Sequence, residues 1–294
     1  MRGEITSVHK TGYNVNVLGK TRDSIKVFAI INNAFRSEEK PLVGDFVTLE
    51  QREDQYIITE VEQRKNVIAR FDETKSKYQG IAANVDVIFV VTSANREFSI
   101  NRIKRFLALS GGQPIRKVIV ITKRDLTKKI KHYTDQIGKE LDGVECIAIN
   151  SLLAGDVKKL LNFWEVPGRA LLMGSSGVGK STIINTLCGT SLKTNVVGRD
   201  KHFNKGKHTT SSRNMYNTTC GRKVIDIPGV KIIGIEPEVA IQSEIFERIN
   251  TIAQACKFRN CKHLSEVDCA VKAAVKSGDL RPEELEGFHK ILLT

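Results

Sequence analysis

The sequence predicts three consecutive units: a small β-barrel, an α/β domain on a mostly parallel sheet, and a short helical unit. Up to about residue 66, short runs alternate apolar and polar residues at period two. From about residue 80, near-continuous apolar runs alternate with helically spaced segments. After about residue 236 the strand signals stop, and cysteines crowd around a histidine. The expected divisions are residues 1–66, 67–236 and 237–294.

The first unit is read from runs at 5–8, 13–17, 25–27, 46–49 and 56–61, punctuated by Gly12, Gly19, Pro41 and Gly44. Five short strands at this spacing favour a barrel, and the Val43-Gly44-Asp45-Phe46-Val47 turn resembles those of oligonucleotide-binding (OB) barrels. A barrel with no ligand is the competing reading. In the second unit, residues 85–91, 118–121, 144–149, 170–173 and 224–227 read as buried strands and 100–109 as a helix. Helices over 239–255 and 270–276 make up the third unit, and the lysine-rich 128–131 reads as a solvated helix face.

Hydrophobic residues make up 40% of the 294 and charged residues 27%, a balance that excludes wholesale disorder. The 46 Lys and Arg outnumber 33 Asp and Glu, and the net charge of +13 suits a polyanionic partner, nucleic acid or an anionic membrane. No run has the ~18 apolar residues of a membrane span, and none near the N-terminus resembles a signal peptide. A cytoplasmic protein with no membrane partner is therefore expected. Cys146, Cys188 and Cys220 are scattered while Cys256, Cys261 and Cys269 crowd together, which argues against a secreted disulfide framework.

Gly174-Ser175-Ser176-Gly177-Val178-Gly179-Lys180-Ser181 matches GxxxxGKS, with an apolar strand before it and a helix, 182–187, after it. Glycines let successive N–H groups turn toward phosphate oxygens, and the helix adds its positive N-terminal end. Lys180 would reach the β- and γ-phosphates, the Ser181 hydroxyl would ligate Mg²⁺, and Thr182 continues the cradle. Thr122-Lys123-Arg124-Asp125, directly after a strand, matches [NT]KxD. The Asp125 carboxylate can accept two hydrogen bonds from guanine N1–H and the 2-amino group, a donor pair that adenine lacks, which disfavours an ATP-dependent kinase. Asn150-Ser151 follows the next strand and offers a second base-contacting loop, with a plain turn as the competing reading.

Asp226-Ile227-Pro228-Gly229 ends a strand as DxPG, with Asp226 for the Mg²⁺ shell and the Gly229 N–H for the γ-phosphate. Between the P-loop and this strand, Lys205-Gly206-Lys207-His208-Thr209-Thr210 is a basic loop offering the Thr210 hydroxyl to Mg²⁺. Ordinary GTPases run P-loop, switch threonine, DxxG, NKxD and base loop. This chain places TKxD and the base loop first, so the domain is circularly permuted. In Cys256-x4-Cys261-x-His263-x5-Cys269, three thiolates and an imidazole form a closed tetrahedral set suited to structural zinc. Buried, unligated cysteines are the competing reading.

With these motifs in this order, nearly the whole chain resembles the ribosome small-subunit-dependent GTPase A family. The resemblance takes in the barrel, the Ile81-Ala82-Ala83-Asn84-Val85-Asp86 approach to the first strand, the permuted motifs and the cysteine cluster. It implies an OB-like barrel, a circularly permuted P-loop GTPase domain and a helical zinc-binding unit. It also implies a GTP hydrolase that is slow alone, faster on the small ribosomal subunit, and active in that subunit's late maturation through nucleotide-dependent rRNA binding. Similar proteins carry Thr at the positions of Ile227 and Ser211 and a more Ser-Ala-like base loop at 150–151. Val230 stands where Ras-like enzymes orient water with glutamine, which leaves His208 as the water-positioning candidate, or alternatively a phosphate- or RNA-contacting histidine. GTP and GDP, Mg²⁺, one structural Zn²⁺ and a monomeric state complete the expectation; the alternative is a nucleotide-gated RNA-binding scaffold with incidental turnover.

Overall fold

The structure, a computed structural model, describes residues 1–19, 25–31, 40–72, 77–110, 113, 115–141, 143–192, 213–227, 248–249, 251–258, 261, 263–264, 266–282 and 284–285. Met1–Lys231 form one compact unit and Ile232–Thr294 a second.

The five predicted strands are β1 (Arg2–Val8), β2 (Tyr13–Val17), β3 (Ile25–Ile31), β4 (Phe46–Arg52) and β5 (Gln55–Val61). β2 pairs with β1 and β3, β3 runs parallel to β5, and β4 bridges β5 and β1, closing the barrel. Period two sends Ile5, Val15, Ala29, Val47 and Ile58 inward, all fully buried. At ~1.5–3 kcal/mol for a fully buried Val or Ile, this small core is what closes the barrel. In the turn before β4, a Cβ on Gly44 (φ +93°) would sit 2.2 Å from the Ala83 carbonyl oxygen, so only glycine fits. Buried Asp45 accepts from the Leu42 N–H at 2.7 Å and pairs both oxygens with Arg64 at 2.8 Å, fixing that turn.

A hairpin of β6 (Val67–Asp72) and β7 (Lys77–Ala83) follows, for which the sequence carried no expectation. The Asn66 side chain exchanges two 2.8 Å hydrogen bonds with the Val85 backbone, and the Asn84 amide donates to the Gly44 carbonyl at 2.9 Å. These amides tie the approach to the α/β sheet onto the barrel.

The parallel strands are β8 (Val87–Ser93), β9 (Arg116–Thr122), β10 (Glu145–Ala148), β11 (Arg169–Met173) and β13 (Lys223–Asp226), in the order β10-β9-β8-β11-β13. β8 is buried at every residue, as its unbroken apolar run requires. β12 (Arg213–Asn217), also unforeseen, lies antiparallel to β13 and pairs with β1 through Ser7↔Asn214 and Val8↔Arg213. One sheet therefore continues from the α/β layer into the barrel. Glu4, 1% exposed, secures that junction by pairing with Arg169 and Lys223. Helices α1 (Ile100–Ala108), α2 (Ile130–Glu140), α3 (Ala154–Lys158) and α4 (Lys180–Cys188) complete the described part of this layer.

In the second unit, the helix Ala270–Ser277 agrees with the expected 270–276, while most of 239–255 lies outside the described residues. Among the described residues, no helix is long and apolar enough to cross a membrane.

Candidate functional site

The GxxxxGKS loop joins β11 to α4, and its backbone is shaped by close approach. A Cβ on Gly174 would lie 2.2 Å from the Val91 carbonyl oxygen, against the neighbouring strand. Gly179 caps α4 in the left-handed region with no side-chain cap, which leaves the first N–H groups of the helix available to an anion. The first turn contains no acidic residue to compete. Lys180, 8% exposed, folds back over the loop and donates to the Gly174 and Ser175 carbonyls at 2.6 and 2.8 Å. Burial pulls its pKa down, opposed by the charge of Asp226.

Asp226 ends β13, beside the P-loop strand. Burial pushes its carboxyl pKa up against the attraction of Lys180, and its Oδ1 is buried with no hydrogen-bond partner. The Ser181 hydroxyl lies at the start of α4 on the same loop, so two hard oxygen donors stand where Mg²⁺ is expected, and the residues fit the ion.

Strand β9 delivers Thr122-Lys123-Arg124-Asp125 to the same end of the sheet. The buried Thr122 hydroxyl reaches the Val178 and Thr92 carbonyls at 2.6 and 3.0 Å, and Lys123 Nζ donates to the Gly177 carbonyl at 3.0 Å. The motif is thus latched onto the P-loop. Asp125 sits exposed on a single 3₁₀ turn, Arg124–Leu126. Ser151 is buried against Gly179, its Oγ 3.3 Å from where a Cβ on that glycine would lie.

One residue here had no signal in the sequence. Asp156, at the start of α3, accepts the Asn150 N–H at 2.9 Å and pairs with Arg124 and Lys159 at 2.9 and 2.8 Å. It binds the Asn150-Ser151 loop to the TKxD loop from behind. Its carboxyl is held below the usual range first by the Asn150 N–H and then by Lys159 and Arg124. Nothing in the spacing marks a carboxylate six residues after Asn150, because its partners converge only in three dimensions. His208, Thr210 and Gly229 lie outside the described residues.

In the second unit, Cys256, Cys261, His263 and Cys269 bring one ligand atom each to within 4.8 Å of one another. Cys256 Sγ lies 3.8 Å from Cys269 Sγ and 3.7 Å from His263 Nδ1, which is 3.3 Å from Cys269 Sγ. Tetrahedral zinc at ~2.3 Å from sulfur and ~2.0 Å from nitrogen needs such separations, so the donor set suits one zinc ion. Ile249, Val271 and Leu280 form the small core around it.

The RsgA GTPase family model matches residues 61–236. A small ribosomal subunit biogenesis GTPase, RsgA 2, from Listeria monocytogenes is 36% identical over 255 residues, covering 87% of this chain and 72% of that protein. YjeQ from Thermotoga maritima superposes with a TM-score of 0.59 at 24% identity, covering 99% of this chain and 96% of that one. YloQ, described as a circularly permuted GTPase, gives a TM-score of 0.52 at 25% identity, covering 99% and 93%.

Proposed function

Since the chain belongs to the RsgA GTPase family, we propose that it hydrolyses GTP during late maturation of the small ribosomal subunit, slowly alone and faster when bound to that subunit. The observation that carries this is the convergence of P-loop, Thr122–Asp125 loop and Asp226 at the carboxyl end of one parallel sheet, where such sheets bind nucleotides.

The residues divide the work. Gly174, Ser175, Ser176, Gly177, Val178 and Gly179 offer backbone N–H groups to the phosphates, continued by Thr182. Lys180 leaves its resting carbonyls for the β- and γ-phosphates, and Thr122, Lys123, Asp125, Asn150 and Ser151 hold the guanine. Ser181, Thr210 and Asp226 would hold Mg²⁺, which neutralises charge on the phosphates when bound. The Gly229 N–H senses the γ-phosphate, and His208 orients the attacking water. Zinc on Cys256, Cys261, His263 and Cys269 is structural, because four protein ligands leave no open position. We assign residues 1–66 to the barrel, 67–236 to the GTPase domain and 237–294 to the zinc unit of a cytoplasmic monomer.

Only the γ-phosphate can hold Thr210 and Gly229 together, so the basic loop carrying Lys201, Lys205 and Lys207 presents one conformation to rRNA in the GTP state. Co-sedimentation with purified small subunits tests this. Binding should be tighter with a non-hydrolysable GTP analogue than with GDP and should fall steeply with salt. Equal binding in both states would exclude a nucleotide-dependent switch.

A further inference from the structure

A cavity of about 470 Å³ lies between the outer face of β1–β3 and strand β12, lined in part by Thr6, Asn14, Asn16, Lys26, Phe28 and Tyr216. Nucleotide-sized ligands occupy sites of ~300–1,000 Å³. Alternation explains who lines it: Tyr13 and Val15 of β2 and Ala29 of β3 fill the barrel, so Asn14, Asn16, Lys26 and Phe28 point outward. The register sets Asn14 opposite Phe28 and Asn16 opposite Lys26. An outward position is ordinarily wet, yet Asn16 is only 6% exposed, and its carbonyl oxygen is buried with no hydrogen-bond partner. That oxygen is an acceptor whose hydrogen-bonding capacity is unused. Beside it, Phe28 offers a half-exposed ring and Lys26 an exposed cation.

An amide that reads an edge, a ring that stacks and a cation for phosphate together suit one nucleotide. The outer face of strands 2 and 3 is also where OB barrels bind oligonucleotides. We propose that this cavity holds one unstacked nucleotide of a single-stranded RNA segment, with its base on Phe28, a base N–H donated to Asn16 and its phosphate near Lys26. The proposal rests on the RNA-binding reading above and gives it a residue-level site away from the GTP-binding loops.

The test uses the chain of 294 residues and a fluorescein-labelled ten-nucleotide oligouridylate, read by anisotropy at low salt. Losing a stacking ring should weaken binding about tenfold in Phe28→Ala. Asn16→Ala should weaken it several-fold, and Thr59→Ala, on β5 away from the cavity, should leave it unchanged. Because Phe28 is exposed, its variant should melt with the parent, so a lost fold would not mimic lost binding. Crosslinking with a 4-thiouridine-substituted oligonucleotide should mark Phe28 or Tyr216. Unchanged affinity in both cavity variants, or crosslinks confined to other surfaces, would make the cavity a hydrated crevice and overturn the site while leaving RNA binding intact. Competition by free UMP as strong as by the oligonucleotide would make it a mononucleotide site and overturn the RNA assignment. A parent chain that binds no oligonucleotide, yet still binds small subunits, would overturn the site alone; binding neither would overturn the RNA-binding reading itself.

Discussion

Asp125, the residue proposed to read guanine, has little around it. It is exposed on a one-turn 3₁₀ segment, which leaves its carboxylate open to a ligand. Replacing one oxygen by an amide reverses a hydrogen bond, and a mismatched donor in a binding site costs far more than a lost methylene. Asp125→Asn should therefore lose at least about tenfold in GDP affinity and gain for xanthosine diphosphate. Displacement of a fluorescent guanine nucleotide by each diphosphate measures both, and an unchanged preference would remove Asp125 from base recognition. Cysteines divide by environment in the same way. Burial pushes the Cys146 and Cys188 thiols up to about 11, so both stay protonated and inert at neutral pH.

Among the elements, the loops after β9 and β10 act as one because Asp156 joins them. Its pKa is depressed in the folded chain, so the ionised carboxylate stabilises the fold; that contribution is complete above the ordinary aspartate range near ~4 and is lost as pH falls through the lower folded value. Asp156→Asn should thus melt earlier than the parent at about pH 7, with the gap closing only below about pH 4. Its GDP affinity should fall roughly three- to tenfold as the base loop loosens. A melting gap that does not change with pH would contradict this account. The elements also separate what the sequence could and could not tell. The barrel strands and β8, β9 and β11 were legible because alternation and unbroken apolar runs report burial directly. The β6–β7 hairpin was not, since Lys77, Gln79 and Gly80 interrupt any apolar period. β12 was also hidden, because Arg213-Asn214-Met215-Tyr216-Asn217 owes its strand state to pairing with β13 and β1 rather than to its own pattern. The P-loop turn and the cluster of Cys256, Cys261, His263 and Cys269 were legible because backbone chemistry and coordination number fix residue type and spacing. The Asn16 cavity was not, because it exists only where β12 covers the barrel.

Across the whole molecule, two units are stabilised by different means. Residues 1–231 share a continuous sheet and a large apolar core, whereas the described core of 232–294 is Ile249, Val271 and Leu280 beside the Cys256–Cys269 donor set. A unit with so little apolar burial would depend on a metal held by that donor set. Purified protein should contain one zinc per chain, and chelation should melt the second unit while guanine nucleotide binding by the first persists; absence of stoichiometric zinc, or loss of both together, would contradict this division. The central claim is that the convergence of the P-loop, Thr122–Asp125 and Asp226 makes a guanine-specific hydrolase activated by the small ribosomal subunit. Turnover of GTP and of ATP by the purified chain, each with and without small subunits, tests it most directly. The account predicts slow GTP hydrolysis alone, a rise of at least about tenfold with subunits, as for other GTPases completed in trans, and no comparable ATP turnover. Equal turnover of ATP and GTP, or a GTP rate that subunits leave unchanged, would contradict it.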